Sequence, residues 1–253
     1  MANRQETIVT SNPDINEGIL PFAGPTSDFD LAAANKLLLP LSATERIEWA
    51  SNRFRLGLVA LTSAGLDSAL VVHHIAEINR RGHSIPVWHF DTGLLHPETL
   101  SHEESLQELL DSPIHKFGPM REQTRDIIDN RLWETDLPEY RLRTKLIPLQ
   151  RAIGAFGVTA LISGIRRDQQ TNTEHRAKKD IIGWGLNGEL RIHPFIDWPK
   201  EAVDLYIDSN NLPKHPLHGS YDSIDDWPLM GLGQIKTECG MHLNGEDMIE
   251  RAS

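Results

Sequence analysis

Residues 56–68 read Leu56-Gly57-Leu58-Val59-Ala60-Leu61-Thr62-Ser63-Ala64-Gly65-Leu66-Asp67-Ser68. The stretch 56–61 is a short apolar run of strand character, and the small and polar residues after it break the run. From Ser68 the apolar positions change period. Leu70, Val71, His74, Ile75 and Ile78 fall on one side of a helix that ends near Gly82. A second apolar run at 85–90 closes on Asp91-Thr92-Gly93. Strand, turn, helix and strand within about 35 residues make a βαβ unit. Such a unit predicts parallel strands joined by a right-handed crossover.

The pattern extends in both directions from that unit. Upstream, Leu31, Leu37, Leu38, Leu39, Ile47 and Trp49 take helical spacing over 29–56, and Pro40 divides the stretch into two helices. Ser42 and Glu45 form a capping box for the second. Downstream, helices are predicted at 98–111, 122–133, 145–156 and 201–209, with strands at 159–163 and 190–195. Beyond Asn210 the chain is irregular and rich in Gly and Pro up to Cys239. The fold class expected is α/β, an open parallel sheet with helices on both faces, followed by a mobile C-terminal tail.

The composition, 39% apolar and 24% charged over 253 residues, is that of an ordinary soluble domain long enough to bury a full core. No stretch has the length and apolarity of a membrane span. Residues 1–17 are polar and lack the apolar segment of a secretory signal, so a cytoplasmic protein is expected. The net charge of −11 argues against general nucleic-acid binding. The charge is uneven: 141–179 holds nine basic residues against two acids, whereas 91–139 holds twelve acids and four bases. A local surplus of this kind is either a pocket for a small polyanion or a solvated basic face. The single cysteine, Cys239, excludes an internal disulfide and a Cys-rich zinc or iron–sulfur site, so no metal is expected. A lone cysteine is either a buried small hydrophobe or a reactive thiol.

Three loops of unusual chemistry follow strands, at 62–68, 91–99 and 164–169. In an open parallel sheet the carboxyl ends of the strands share one edge and ligands bind in the crevice there, so these loops should converge. Ser63, Ala64 and Gly65 let backbone approach an anion closely, and Ser63 and Ser68 add hydroxyl donors at a helix start. The loop lacks the lysine of a Walker A motif. It is a phosphate or sulfate cradle, or a strand–helix turn capped by Ser or Asp.

Ser63-Ala64-Gly65-Leu66-Asp67-Ser68 resembles the PP-loop of the adenine-nucleotide alpha-hydrolase-like superfamily, usually written Ser-Gly-Gly-x-Asp-Ser. The stretch His89-Phe90-Asp91-Thr92-Gly93-Leu94-Leu95-His96-Pro97-Glu98-Thr99 resembles the Asp-Thr-Gly…Pro-Glu-Thr segment of reductases of phosphoadenylyl sulfate (PAPS) and adenylyl sulfate (APS). Gly164-Ile165-Arg166-Arg167-Asp168-Gln169 is similar to their Gly-x-Arg-Arg-x-Gln loop, and Glu238-Cys239-Gly240-Met241-His242 to their Glu-Cys-Gly-Leu-His motif. Four motifs in order, with the one cysteine in the fourth, identify the chain as a member of the PAPS reductase family from about residue 30 to 242. There are departures. Ala64, Ser220 and Asp225 stand where the resembled segments carry Gly, and Trp227-Pro228-Leu229-Met230 replaces His-Thr-Thr.

The resemblance implies a nucleotide-binding α/β domain at 29–210, an N-terminal arm at 1–28 and a C-terminal segment at 211–253 carrying the catalytic cysteine. It implies that the Cys239 thiolate attacks the sulfonyl sulfur and an external dithiol protein of thioredoxin or glutaredoxin type releases sulfite. His242 or Lys236 would favour the thiolate. Substrate would be held by Ser63, Ala64, Gly65, Asp67, Ser68, Asp91, Thr92, Gly93, Lys145, Arg166, Arg167 and Gln169, with Lys145 and the two arginines as an anion clamp. Asp91 would hold ribose or backbone N–H groups. Many family members acting on APS carry Cys-Cys…Cys-x-x-Cys for an iron–sulfur cluster; one cysteine therefore favours PAPS, with no bound cofactor. A homodimer is the family expectation. Two other readings share the first loop: a PP-loop ATP pyrophosphatase or sulfur-transfer enzyme, and a non-catalytic nucleotide-binding relative.

Overall fold

The computed structural model describes residues 29–169, 180–221 and 224–230. Among these residues six strands form one sheet: β1 (Leu58–Thr62), β2 (Val87–Phe90), β3 (Ile114–Phe117), β4 (Ala160–Ile162), β5 (Ile182–Trp184) and β6 (Leu190–Ile192). Their order is β3-β2-β1-β4-β6-β5. All neighbours run parallel except β5, which pairs antiparallel to β6. The expected parallel sheet is thus present with one reversed edge strand. β3 and β5 escape the sequence pattern because they are only four and three residues long and lie at the two edges. Their mixed residues show neither a long apolar run nor a clear alternation.

The inner strands are buried on both faces, as expected of a parallel sheet covered by helices. Along β1, Leu58 and Ala60 join one core while Val59 and Leu61 join another. In β2, Val87 faces the first core, and Trp88 and Phe90 the second. Helices α1 (Leu31–Leu38), α2 (Ala43–Phe54), α3 (Ser68–Arg80) and α4 (Pro97–Leu110) cover the first face. Helices α5 (Arg121–Asp129), α6 (Leu132–Thr135), α7 (Leu137–Arg141) and α8 (Ile147–Phe156) follow. Leu149, Ala152 and Ile153 of α8 cover the second face. A ninth helix, α9 (Lys200–Ser209), returns to the first face through Val203 and Ile207.

Local chemistry accounts for the helix ends. The Ser42 hydroxyl accepts from the Glu45 N–H, and the Glu45 carboxylate accepts from the Ser42 N–H at 2.8 Å, completing the predicted capping box. The helix expected over 122–133 is broken between α5 and α6, where Arg131 takes a left-handed conformation with φ 47°. Before α8, residues Leu142–Leu146 form a π-helical turn. Pro148 has no N–H to bond four residues back, and the Ile147 N–H reaches the Leu142 carbonyl instead. The wider turn places Thr144 and Lys145 inward, both buried.

At the outer side of β5, Asn35 of α1 meets the strand backbone twice. Its Nδ2 donates to the Ile182 carbonyl at 2.8 Å, and its Oδ1 accepts from the Ile182 N–H at 3.1 Å. No described helix is long and apolar enough to cross a membrane.

Candidate active site

The strand order reverses direction between β1 and β4, and the loops leaving these two strands face one crevice. The loop after β1 is tight. Ala64 is fully buried with φ 50°, a left-handed conformation that favours glycine, and its N–H is held by the Thr62 hydroxyl at 3.1 Å. The Ser68 N–H donates to the Gly65 carbonyl at 3.1 Å. Asp67 stands at the N-cap of α3 but its carboxylate does not cap the helix. It crosses the crevice and accepts from Arg166 Nη1 at 2.7 Å and from Lys200 Nζ at 2.9 Å. Burial by itself would raise the Asp67 pKa, but Arg166 and Lys200 outweigh it and hold the carboxyl below its usual range.

The loop after β4 is organised around the same pair. Arg166 is 3% exposed and gives its Nε to Asp168 at 2.9 Å, while its backbone N–H donates to the Gln169 side chain at 3.1 Å. Arg167 is exposed and tied through its N–H to the Ile196 carbonyl at 3.0 Å. Ser163 and His193 share a hydrogen bond of 2.7 Å below the loop. Lys200 was not singled out by the sequence, although one signal exists. A cation in the first turn of a helix opposes the helix dipole. Asp67 and Asp204 resolve that conflict, and together they outweigh burial and raise the lysine pKa.

The loop after β2 carries Asp91, whose Oδ1 accepts from the Gly93 N–H at 2.8 Å. This backbone role is one of the two that the sequence suggests for it. Gly93 has φ 77° and is exposed. Thr92 is buried, and its hydroxyl donates to Asp226 Oδ1 at 2.6 Å. The phenol of Tyr140 donates to the other oxygen, Oδ2, also at 2.6 Å. Asp226 is fully enclosed by these two hydroxyls and by Lys145, whose Nζ lies 3.5 Å from Oδ2. The closer partner of Lys145 is Asp225, at 3.0 Å.

A pocket opens between the loop after β1, the end of β2 and the Lys145–Asp225–Asp226 cluster. Its walls are Ser63 from the loop after β1, His89, Phe90, Leu95 and Thr99 from β2 and the segment behind it, Lys145, and Ile224, Asp225 and Asp226. Of the residues singled out in the sequence, Ser63 and Lys145 line this pocket, and Thr92 supports it through Asp226. Asp67 and Arg166 meet each other and are not among its walls, with Gln169 bracing Arg166. Ala64, Gly65, Ser68, Asp91, Gly93 and Arg167 are not among its walls. Cys239 and His242 lie outside the described residues, as do Lys236 and the basic residues of 170–179. Three of the six described basic residues of 141–169 face acids from elsewhere in the chain: Arg143 faces Asp126, Lys145 faces Asp225 and Asp226, and Arg166 faces Asp67.

Comparison with known proteins bears on the family and the fold. A family model described as the phosphoadenosine phosphosulfate reductase domain matches residues 57–232. A phosphoadenosine 5'-phosphosulfate reductase from Synechococcus sp. is 32% identical, covering 84% of this chain and 97% of the relative. One of the same description from Alkalilimnicola ehrlichii is 30% identical, covering 84% and 91%. Among solved structures, a phosphoadenylyl-sulfate (PAPS) reductase from Candida auris in a phosphate complex superposes with a TM-score of 0.67 at 25% identity, covering 78% of this chain and 93% of that one.

Proposed function

Because the chain belongs to the phosphoadenosine phosphosulfate reductase family, we propose that it reduces 3'-phosphoadenylyl sulfate to sulfite. The observation that carries this reading is the convergence of the loops after β1, β2 and β4 at one end of the sheet, with Ser63 and Lys145 in the walls of one pocket. Small residues and a helix start at 63–68 suit an anionic nucleotide group.

The Cys239 thiolate attacks the sulfonyl sulfur, and the S–O bond to the nucleotide phosphate breaks. Adenosine 3',5'-bisphosphate leaves with that electron pair, and Cys239 carries an S-sulfonate. One thiolate of a thioredoxin-type dithiol attacks Cys239 Sγ and expels sulfite, forming a mixed disulfide. The second thiol of the dithiol attacks its own partner sulfur and returns Cys239 as the thiol. Two electrons pass from dithiol to sulfur, which goes from sulfate to sulfite oxidation level. His242 and Lys236, three residues from the cysteine on either side, favour its ionised form. A chain with one cysteine has no four-thiolate set for an iron–sulfur cluster, which favours PAPS over APS. The 211–253 segment brings the cysteine to the domain at 29–210, in a cytoplasmic homodimer.

Intact-protein mass spectrometry tests the reading. Reduced protein is incubated with PAPS and, separately, with APS. One sulfonate adduct on wild type is expected, faster with PAPS, absent from Cys239→Ser, and removed by thioredoxin with release of sulfite. No adduct with either nucleotide on folded protein overturns it.

A further inference from the structure

The pocket has one feature that the reaction does not require. Lys145 is 5% exposed, and its ammonium already faces two carboxylates, Asp225 at 3.0 Å and Asp226 at 3.5 Å. Their roles differ. Asp226 receives the hydroxyls of Thr92 and Tyr140, each at 2.6 Å, and is built into the wall. Asp225 is bound at Oδ1 to the lysine and to the Asp226 N–H at 2.9 Å. Among the described residues, one cation and two carboxylates meet in this wall, a formal balance of −1. The free volume left beside it is about 20 Å³, room for about one water.

We infer that Asp225 is a specificity-determining residue: its carboxylate holds the anion position at Lys145, and the anionic group of an incoming substrate must displace it. A like charge within a few ångströms in a partly dehydrated pocket weakens anion binding strongly. A small inorganic anion has only its charge with which to compete and is rejected. A nucleotide has its base and ribose as further anchors and can afford the displacement. Asp225 therefore selects nucleotide-borne anions against free phosphate, sulfate and pyrophosphate. The inference rests on the proposed anionic nucleotide substrate for its purpose, but its electrostatic core does not.

Two probes separate these levels. Binding of inorganic pyrophosphate and of adenosine 3',5'-bisphosphate is measured by titration calorimetry for wild type, Asp225→Asn and Glu104→Gln. The asparagine keeps an oxygen for the Asp226 N–H, and its fold is checked by circular dichroism. Glu104 is an exposed acid on α4 and controls for net charge. Asp225→Asn should bind pyrophosphate roughly tenfold tighter or more, gain less for the nucleotide, and leave Glu104→Gln like wild type. Unchanged or weaker pyrophosphate binding in Asp225→Asn overturns the inference, and so does an equal gain in Glu104→Gln. Tighter pyrophosphate with no nucleotide binding by any of the three proteins keeps the role of Asp225 and removes the proposed substrate.

Discussion

Asp67 and Arg166 lie 99 residues apart in sequence and meet at 2.7 Å across the point where the strand order reverses. The pair joins the loop after β1 to the loop after β4, and Arg166 is 3% exposed in doing so. A guanidinium this deep is tolerated because Asp67 and Asp168 both face it.

Removing the cation should therefore cost more than removing the pair. Arg166→Ala leaves Asp67 with Lys200 alone, and we expect a loss of about 3 kcal/mol in urea unfolding. Asp67→Asn in the Arg166→Ala background should recover about 1 kcal/mol of that loss. Strict additivity of the two single changes would mean that the pair does not lock the loops.

The Tyr140 phenol is pushed far above its ordinary range, first by burial and then by the Asp226 charge that its hydroxyl faces. It should stay protonated for as long as the protein is folded. In an alkaline absorbance titration, Tyr140→Phe should differ from wild type only where wild type unfolds. The same variant should lose about 2 kcal/mol, the worth of a hydrogen bond to a buried charge. A missing tyrosinate step at a pH where wild type is folded would contradict the geometry.

Acid should weaken the fold over a defined window. Burial is the first cause that lowers His74, His102 and His215 from 6.5 to about 4. Between these values the unfolded chain binds more protons than the folded one, so stability falls as pH falls. The contribution is complete above pH 6.5 and is lost on passing down through about pH 4. Among the described residues neither ring nitrogen of His102 has a hydrogen-bond partner. His102→Leu should flatten the acid limb by roughly 1–3 kcal/mol. Urea midpoints at several pH values would show an unchanged slope if His102 is not held neutral.

Two glycine-to-alanine changes should act with opposite sign. A Cβ at Gly118 would run into the Asp91 carbonyl oxygen, next to the 2.8 Å bond from the Asp91 N–H to the Phe117 carbonyl. Gly118→Ala should cost about 2 kcal/mol or more and weaken nucleotide binding by shifting the 91–93 turn. Gly154 lies within α8, where a Cβ meets nothing within 4 Å. Gly154→Ala should stabilise by about 1 kcal/mol. Equal thermal melting of the two variants would overturn both assignments.

Most of the fold was legible because its signals are local. The apolar run that became β1, the Ser42–Glu45 box and the helical spacing after Ser68 each lie within a few residues. β3 was missed because Ile114-His115-Lys116-Phe117 is short and half exposed at an edge. The motifs named Ser63, Asp67 and Arg166, and the family resemblance Lys145, but neither could say that Asp67 and Arg166 face each other. Nor could they say that Lys145 is held by Asp225. The support of Asp226 was out of reach, since Thr92 and Tyr140 lie 134 and 86 residues from it and only the fold joins them.

The amide of Asn35 blocks strand addition at one rung of the sheet edge. Ile182 turns its N–H and carbonyl outward from an edge strand, and such unpaired groups are a template on which another chain can add a strand. Asn35 answers both with one side chain, as the backbone of a neighbouring strand would. Among the described residues, Asn35 thus occupies the Ile182 rung of this edge. Asn35→Ala would reopen that rung, and the damage would surface as strand-to-strand aggregation at high protein concentration rather than as a loss of catalysis.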